Sequence, residues 1–129
     1  MNSVIISKAG GPEVLEYKEL KLEEPKADEV TIKNHAIGLN YIDTYHRSGL
    51  YPLTLPSPIG LEGAGEITKV GSDVKDFKVG DKVAYCAAPL GAYSTHRNYP
   101  TKNLEIGRAH VWTPVTRSSR MPSSAWKKK

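Results

Sequence analysis

Residues 38–51 read Gly-Leu-Asn-Tyr-Ile-Asp-Thr-Tyr-His-Arg-Ser-Gly-Leu-Tyr, and residues 60–65 read Gly-Leu-Glu-Gly-Ala-Gly. In the first segment an amide, a carboxylate and a phenol stand close together at Asn40, Asp43 and Tyr45, before Gly49. Asparagine before a helix and glycine after it are the usual boundary signals, so we predict a short helix over residues 41–47. The spacing alone fits both a solvated helical turn and a ligand-binding segment.

The rest of the chain is dominated by short strand patterns separated by glycine turns. Residues 30–36 alternate apolar and polar side chains, which is the period of a half-buried strand. Further strands are predicted at 4–7, 15–22, 63–70, 79–85 and 91–98. Residues 52–58 contain three prolines, which remove backbone donors, and are predicted to form a loop. This pattern predicts a small all-β barrel or sandwich.

The glycines at 60, 63 and 65 do not form a dinucleotide-binding fingerprint. They read G-x-x-G-x-G rather than G-x-G-x-x-G, and no helix is predicted after them. We therefore expect them to permit close backbone packing and a bulge.

Charge and cysteine content limit the possible partners and setting. Six of the 18 basic residues follow Glu105 and no acidic residue does, so residues 1–105 carry 12 basic against 14 acidic side chains, a net charge of −2. This balance does not favour nucleic acid or an anionic membrane, and no run approaches the ~20 apolar residues of a membrane span. Cys86 is the single cysteine, which favours a reducing, cytoplasmic setting. We predict it as a buried small apolar residue rather than a nucleophile.

Several motifs together resemble one family. Residues 38–45, 47–52, 60–65, the Gly-Asp-Lys-Val at 80–83 and the Gly-Gly-Pro-Glu-Val-Leu at 10–15 are similar to the zinc-independent quinone oxidoreductases, the zeta-crystallin-like branch of the medium-chain dehydrogenase/reductase superfamily. The resemblance covers about residues 1–105. It implies a mainly β, GroES-like, partly open barrel with short helices, the N-terminal domain of an alcohol-dehydrogenase-like protein, whose Rossmann domain is missing from this chain.

Comparison with the zinc alcohol dehydrogenases of the same superfamily predicts that no metal is bound. Their first catalytic-zinc cysteine falls on Asn40 and their zinc-binding histidine falls on Leu61. An amide and a leucine cannot replace thiolate and imidazole as zinc ligands, and Glu62 alone does not make a site.

The resemblance implies hydride transfer from NADPH to a quinone, in a cytoplasmic homodimer. NADPH is only weakly favoured over NADH. The truncated chain is expected to be inactive alone, because the missing domain would bind most of the cofactor. Two other interpretations stay open: a GroES-like binding or assembly module without catalysis, and an enoyl reductase of the same superfamily.

The resemblance also assigns site residues. The segment expected to contact NADPH consists of Asn40, Tyr41, Ile42, Asp43, Thr44 and Tyr45. Asn40 and Tyr45 are expected at the nicotinamide end and Tyr51 near the acceptor, which makes these three the candidate catalytic residues. Arg47 is expected either to contact a phosphate or to pair with Asp43 one helical turn earlier.

Residues 106–129 differ in character from the rest of the chain. Ile106–Thr116 and Ser119–Trp126 resemble the in-frame translation of the two ends of a widely used short-read sequencing adapter, with TGA read as tryptophan. We therefore expect residues 106–129 to be a non-native, disordered tail, and residues 1–105 to be a truncated GroES-like domain.

Overall fold

The computed structural model describes residues 1–106, and this part of the chain is mainly β, as the sequence predicts. Its eight strands are β1 (Asn2–Ile6), β2 (Leu15–Glu19), β3 (Glu29–Gly38), β4 (Ser57–Pro58), β5 (Glu62–Val70), β6 (Lys82–Cys86), β7 (His96–Pro100) and β8 (Glu105–Ile106). One α-helix, α1 (Tyr41–Ser48), and two single 3-10 turns, Pro12–Val14 and Thr101–Asn103, complete it. None of these helices is long and apolar enough to cross a membrane. Except for Ile106, the predicted tail lies outside the described residues.

The strands form two antiparallel sheets that meet along β1. One sheet has the order β2-β1-β4 and the other β7-β3-β5-β6-β8. The chain just before β7 joins them: the Val4 N–H donates to the Tyr93 carbonyl at 2.8 Å, and the Thr95 N–H donates to the Asn2 carbonyl at 2.9 Å. These bonds close part of the gap between the sheets and produce the partly open barrel that was expected.

Apolar side chains of the larger sheet form the main core. Burial alternates along β5 and β6, so one face of each strand points inward. The members of this core are Val30, Ile32, Ile67, Val83, Tyr85, Ala92, Tyr99 and Leu104. A smaller cluster of Ile6, Val14 and Ile59 lies under the other sheet. Burial of these side chains is the main favourable term in the folding of this barrel.

Strands β3 and β5 approach each other closely because glycines occupy β5. A Cβ atom on Gly65 would lie 2.1 Å from the Lys33 carbonyl oxygen, so any other residue would push the two backbones apart. Asn34 pairs with Gly65 and Ala36 with Ala64, which leaves His35 as the extra residue of a bulge. The expectation of close packing and a bulge at these glycines is therefore confirmed.

The strands predicted at 15–22 and 79–85 are shorter or shifted in the structure, at Leu15–Glu19 and Lys82–Cys86, and three other local predictions need correction. The proline-rich stretch is not entirely loop, because Ser57 and Pro58 pair with the end of β1; two residues suffice for a short edge ladder. The strand expected from residue 91 begins only at His96, since the preceding residues turn to reach β1. Cys86 is exposed rather than buried, because it ends β6 on the strand's outward face.

The close approach at Gly65 predicts a specific loss of stability. Gly65→Ala in the 129-residue chain should lower the free energy of unfolding in urea by about 2 kcal/mol, because β3 must move away from the new methyl group. Glu66→Ala, on the neighbouring outward-facing residue, should change it by no more than about 0.5 kcal/mol. Equal effects of the two substitutions would contradict this account of the strand pairing.

Candidate functional site

The predicted helix is present as α1, with the expected boundary residues. Asn40 precedes it in an extended conformation, and Gly49 follows it with φ at +90°, in the left-handed region that favours glycine. The Asp43 carboxylate accepts a hydrogen bond from the Asn40 backbone N–H at 3.1 Å. A carboxylate in the first turn also interacts favourably with the helix dipole. The sequence therefore specifies both ends of α1 locally.

Asn40 is fixed by a hydrogen bond to the first residue of the neighbouring strand β5. Its Nδ2 donates to Glu62 Oε1 at 2.8 Å. The register of β3 and β5 produces this contact, because it pairs Gly38 with Glu62. Gly38 leaves the necessary room: a Cβ atom there would lie 2.4 Å from Glu62 Oε1. The carboxylate therefore holds the amide in one orientation.

Asp43 is buried, with 3% of its surface exposed, and it links α1 to the chain before β7. The Tyr93 hydroxyl donates to Asp43 Oδ2 at 2.5 Å. Burial of the phenol, and then its hydrogen bond to Asp43 and the charge of that carboxylate, raise the pKa of Tyr93 far above its usual value. The phenol therefore remains a hydrogen-bond donor at any physiological pH.

In the part of the chain that the structure describes, Arg47 does not pair with Asp43, which was one of the two contacts considered from the sequence. Its Nε donates instead to the Gly10 carbonyl at 3.2 Å. The Gly10 N–H donates to the Arg47 carbonyl at 3.0 Å. This pair of hydrogen bonds joins the last turn of α1 to the turn after β1.

Three of the predicted site residues form an accessible aromatic surface. The rings of Tyr41 and Tyr45 are 5.3 Å apart, and the rings of Tyr45 and Tyr51 are also 5.3 Å apart, both with edge-to-face geometry. Tyr41 is 76% exposed and Tyr51 is 46% exposed. Such rings offer a planar ligand large contact area with little loss of side-chain entropy.

The other two members of the predicted segment are less available. Ile42 is half-buried, and the Thr44 hydroxyl donates to the Tyr41 carbonyl at 2.6 Å within the helix. The structure therefore places four of the predicted residues on or near the accessible surface: Asn40, Tyr41, Tyr45 and Tyr51. Asp43 is buried, and its hydrogen bonds to Asn40 and Tyr93 support the position of α1.

A cavity of about 370 Å³ lies next to the Asn40–Glu62 pair. Its lining includes Gly38, Glu62, Gly63, Tyr85 and Cys86. Partial burial, and then the negative charges of Glu62 and Asp43, raise the pKa of the Cys86 thiol. A raised pKa favours the protonated thiol at neutral pH.

Two features of this site were missed by sequence reasoning. Tyr93 is 50 residues from Asp43, and Glu62 was considered only as a remnant of a zinc site. No local pattern marks either contact, because both depend on the sheet register and on the path of the chain between the sheets.

The described residues contain no group of three His, Cys, Asp or Glu side chains that could hold a metal ion. At the two positions that supply zinc ligands in the zinc alcohol dehydrogenases, the chain has Asn40 and Leu61. A neutral amide and a leucine side chain are not among the thiolate, imidazole and carboxylate groups that hold zinc in proteins.

The neutral amide at position 40 predicts a pH-dependent effect of adding a charge there. Asn40→Asp places a carboxylate beside Glu62 and Asp43, which raises the pKa of one of the three groups in the folded state. The folded variant then holds a proton that the unfolded chain releases, so its stability falls as the pH rises. From pH 5 to pH 7.5 we expect a loss of about 1–2 kcal/mol in unfolding free energy relative to wild type, measured by urea unfolding.

Asn40→Ala is the matched control, because it removes the same hydrogen bond without adding charge. Its loss of stability should be the same at both pH values. Parallel pH profiles for Asn40→Asp and the wild type would show that the amide does not lie against Glu62.

Comparison with known proteins agrees with this geometry. The family described as the alcohol dehydrogenase GroES-like domain matches residues 26–112. A quinone oxidoreductase from Pseudomonas aeruginosa is 64% identical over 86 residues, which are 66% of this chain and 26% of that protein. A 2-haloacrylate reductase from a Burkholderia species is 42% identical over 106 residues, which are 79% of this chain and 32% of that protein.

A solved structure, that of Escherichia coli quinone oxidoreductase complexed with NADPH, matches with a TM-score of 0.83 and 46% identity, over 84% of this chain and 34% of that chain. The chain thus spans about a quarter to a third of the length of the relatives that it matches. These similarities confirm the resemblance stated from the motifs. The chain belongs to the alcohol dehydrogenase GroES-like domain family.

Proposed function

We propose that this chain is the N-terminal part of an NADPH-dependent quinone oxidoreductase that uses no zinc. The observation that carries the proposal is the match to the NADPH complex of the E. coli quinone oxidoreductase, with a TM-score of 0.83. The 64% identity to the Pseudomonas quinone oxidoreductase supports it. In this proposal a further domain completes the enzyme and binds most of the cofactor, so residues 1–105 alone have negligible activity.

The residues present fit one wall of a nicotinamide site. The exposed rings of Tyr41 and Tyr51, with Tyr45 between them, provide flat apolar surface, and Asn40 adds a fixed amide beside it. NADPH, when bound, supplies the hydride. In our proposal the chain's own residues orient the ring and exclude water: Asn40 and Tyr45 contact the nicotinamide end, and Tyr51 lies near the acceptor.

The other members of the NADPH segment have supporting roles in this proposal. Tyr41 offers an exposed ring, and Ile42 adds apolar contact. Asp43 and Thr44 take part through the hydrogen bonds that shape the first turns of α1. The proposed cofactor segment therefore remains residues 40–45.

Zinc independence is part of the proposal and rests on donor chemistry. Asn40 has a neutral amide in place of a thiolate, imidazole or carboxylate, and Leu61 has no metal-binding atom. A quinone delocalises the arriving negative charge over its conjugated ring, so it does not need a Lewis acid to accept a hydride. A site without metal therefore suits a conjugated acceptor better than an isolated carbonyl.

A second candidate is the reduction of an activated carbon–carbon double bond. The 42% identity to the 2-haloacrylate reductase favours it, because a 2-haloacrylate is also a conjugated acceptor. The same aromatic surface could contact either acceptor, so only a measurement of turnover with each acceptor distinguishes the two candidates.

We further propose a cytoplasmic homodimer. The single cysteine of the chain supports a reducing setting, and the dimer is what the family resemblance implies. The net charge of −2 over residues 1–105 does not favour nucleic acid or an anionic membrane as a partner.

The proposal can be tested in a hybrid enzyme, in which residues 1–105 replace the equivalent segment of the E. coli quinone oxidoreductase. Residues 106–129 are omitted, because we propose that they are a non-native tail. We expect the hybrid to oxidise NADPH with 1,4-benzoquinone, followed at 340 nm, and to keep this activity after dialysis against a chelator. Turnover only with 2-chloroacrylate would favour the second candidate. A folded hybrid without turnover on either acceptor would favour a non-catalytic module.

The role of Tyr45 gives a sharper prediction. In the hybrid, Tyr45→Ala should raise the KM for NADPH by about tenfold, because an aromatic contact worth about 1 kcal/mol or more is removed together with the surface that it covers. Tyr17→Ala is the matched control: Tyr17 is 73% exposed and lies on β2, outside the proposed site. An unchanged KM for NADPH in Tyr45→Ala would contradict the assignment.

A further inference from the structure

Helix α1 has no fully buried apolar side chain, and several hydrogen bonds connect it to the barrel. It has only eight residues, and its one buried residue is Asp43. A helix this short is marginal in isolation, so its position must come from tertiary contacts. Since no apolar side chain of α1 is fully buried, the hydrogen bonds of Asn40, Asp43 and Arg47 contribute to fixing where it lies.

Tyr93 is the partner of Asp43, and it is itself firmly held. Its backbone N–H donates to the Ile59 carbonyl at 3.1 Å, and its carbonyl accepts from the Val4 N–H at 2.8 Å. Its ring packs against Gly60, where a Cβ atom would lie 2.5 Å from a ring carbon. Gly60 also has a φ of +100°. The left-handed backbone and the close Tyr93 ring both favour glycine at this position. The phenol therefore projects from a fixed point of the barrel.

The hydroxyl of Tyr93 donates to a buried carboxylate that has few other hydrogen-bond donors, that of Asp43. Asp43 Oδ2 receives the phenol and the Asn40 N–H, whereas Asp43 Oδ1 is buried without a hydrogen-bond partner among the described residues. A buried carboxylate with so few donors depends strongly on each of them. Loss of the phenol would leave Asp43 with one donor from its own helix and none from the barrel.

We propose that Tyr93 is a positioning residue of the NADPH site: acting through Asp43, it fixes α1 so that Asn40 and Tyr45 stand where the nicotinamide end binds. Tyr93 touches neither cofactor nor acceptor in this role. The effect of Tyr93 on catalysis rests on the proposed function. Its effect on the position of α1 does not, because that effect depends only on contacts within this chain. Tyr93 therefore acts on the reaction through the placement of a helix.

The first test measures α1 directly in the 129-residue chain by hydrogen–deuterium exchange. Tyr93→Phe keeps the ring against Gly60 and removes only the hydroxyl. We expect the amides of residues 41–48 to exchange about fivefold faster or more, while those of β5 are unchanged. Tyr99→Phe is the matched control, because its hydroxyl donates to the Ala87 carbonyl at 2.9 Å, a contact that does not involve α1. Equal exchange of α1 in Tyr93→Phe and wild type would overturn the proposal.

The second test uses the hybrid enzyme and separates positioning from general stability. Tyr93→Phe should lower kcat/KM for NADPH about fivefold to tenfold, whereas Tyr99→Phe should stay within about twofold even if it lowers the melting temperature equally. Because Tyr93 acts through Asp43, the double variant with Asp43→Ala, which removes the acceptor of the phenol, should be no worse than Asp43→Ala alone.

Effects that multiply in the double variant, or equal kinetic losses in Tyr93→Phe and Tyr99→Phe, would overturn the positioning role. A wild-type hybrid without any activity would refute the proposed function. In that case the exchange measurement still decides whether Tyr93 fixes α1.

Discussion

The register between β3 and β5 is the constraint on which the rest of the structure depends. It pairs Gly38 with Glu62, and so places the last residue of one strand beside the first residue of the other. Asn40 follows two residues later and reaches the Glu62 carboxylate. A slip of one residue would turn Glu62 to the opposite face of the sheet and remove this contact. The close approach at Gly65 and the bulge at His35 hold the register where it is.

The barrel and the helix it carries are stabilised by different forces. Apolar burial between the sheets holds the strands, with Ile32 and Ile67 completely buried. Helix α1 and its N-terminal residue Asn40 lie outside that core and are connected to it by hydrogen bonds: Asn40 donates to Glu62, Tyr93 donates to Asp43, and Arg47 donates to the Gly10 carbonyl. Because hydrogen bonds depend steeply on geometry, they position α1 and its tyrosines while leaving the exposed ring of Tyr41 free for a ligand.

The features that sequence reasoning found are those with local causes. Asn40 and Gly49 mark the ends of α1, and alternation marks β5, so both elements were predicted within one or two residues. The Tyr93–Asp43 and Asn40–Glu62 contacts were not predicted, because they join residues 50 and 22 positions apart. The prediction that Cys86 is buried was wrong for a related reason, because the pairing of β6 with β5 determines which face of β6 points inward.

Our central claim is that the polar cluster around Asn40 and the neighbouring tyrosine rings form one wall of a nicotinamide site. A crystal structure of the hybrid enzyme with NADPH tests this claim most directly. We predict the nicotinamide ring in van der Waals contact with Tyr45, at about 4 Å, and Asn40 beside it and still bonded to Glu62. A nicotinamide that lies out of contact with residues 40–45 would contradict the account.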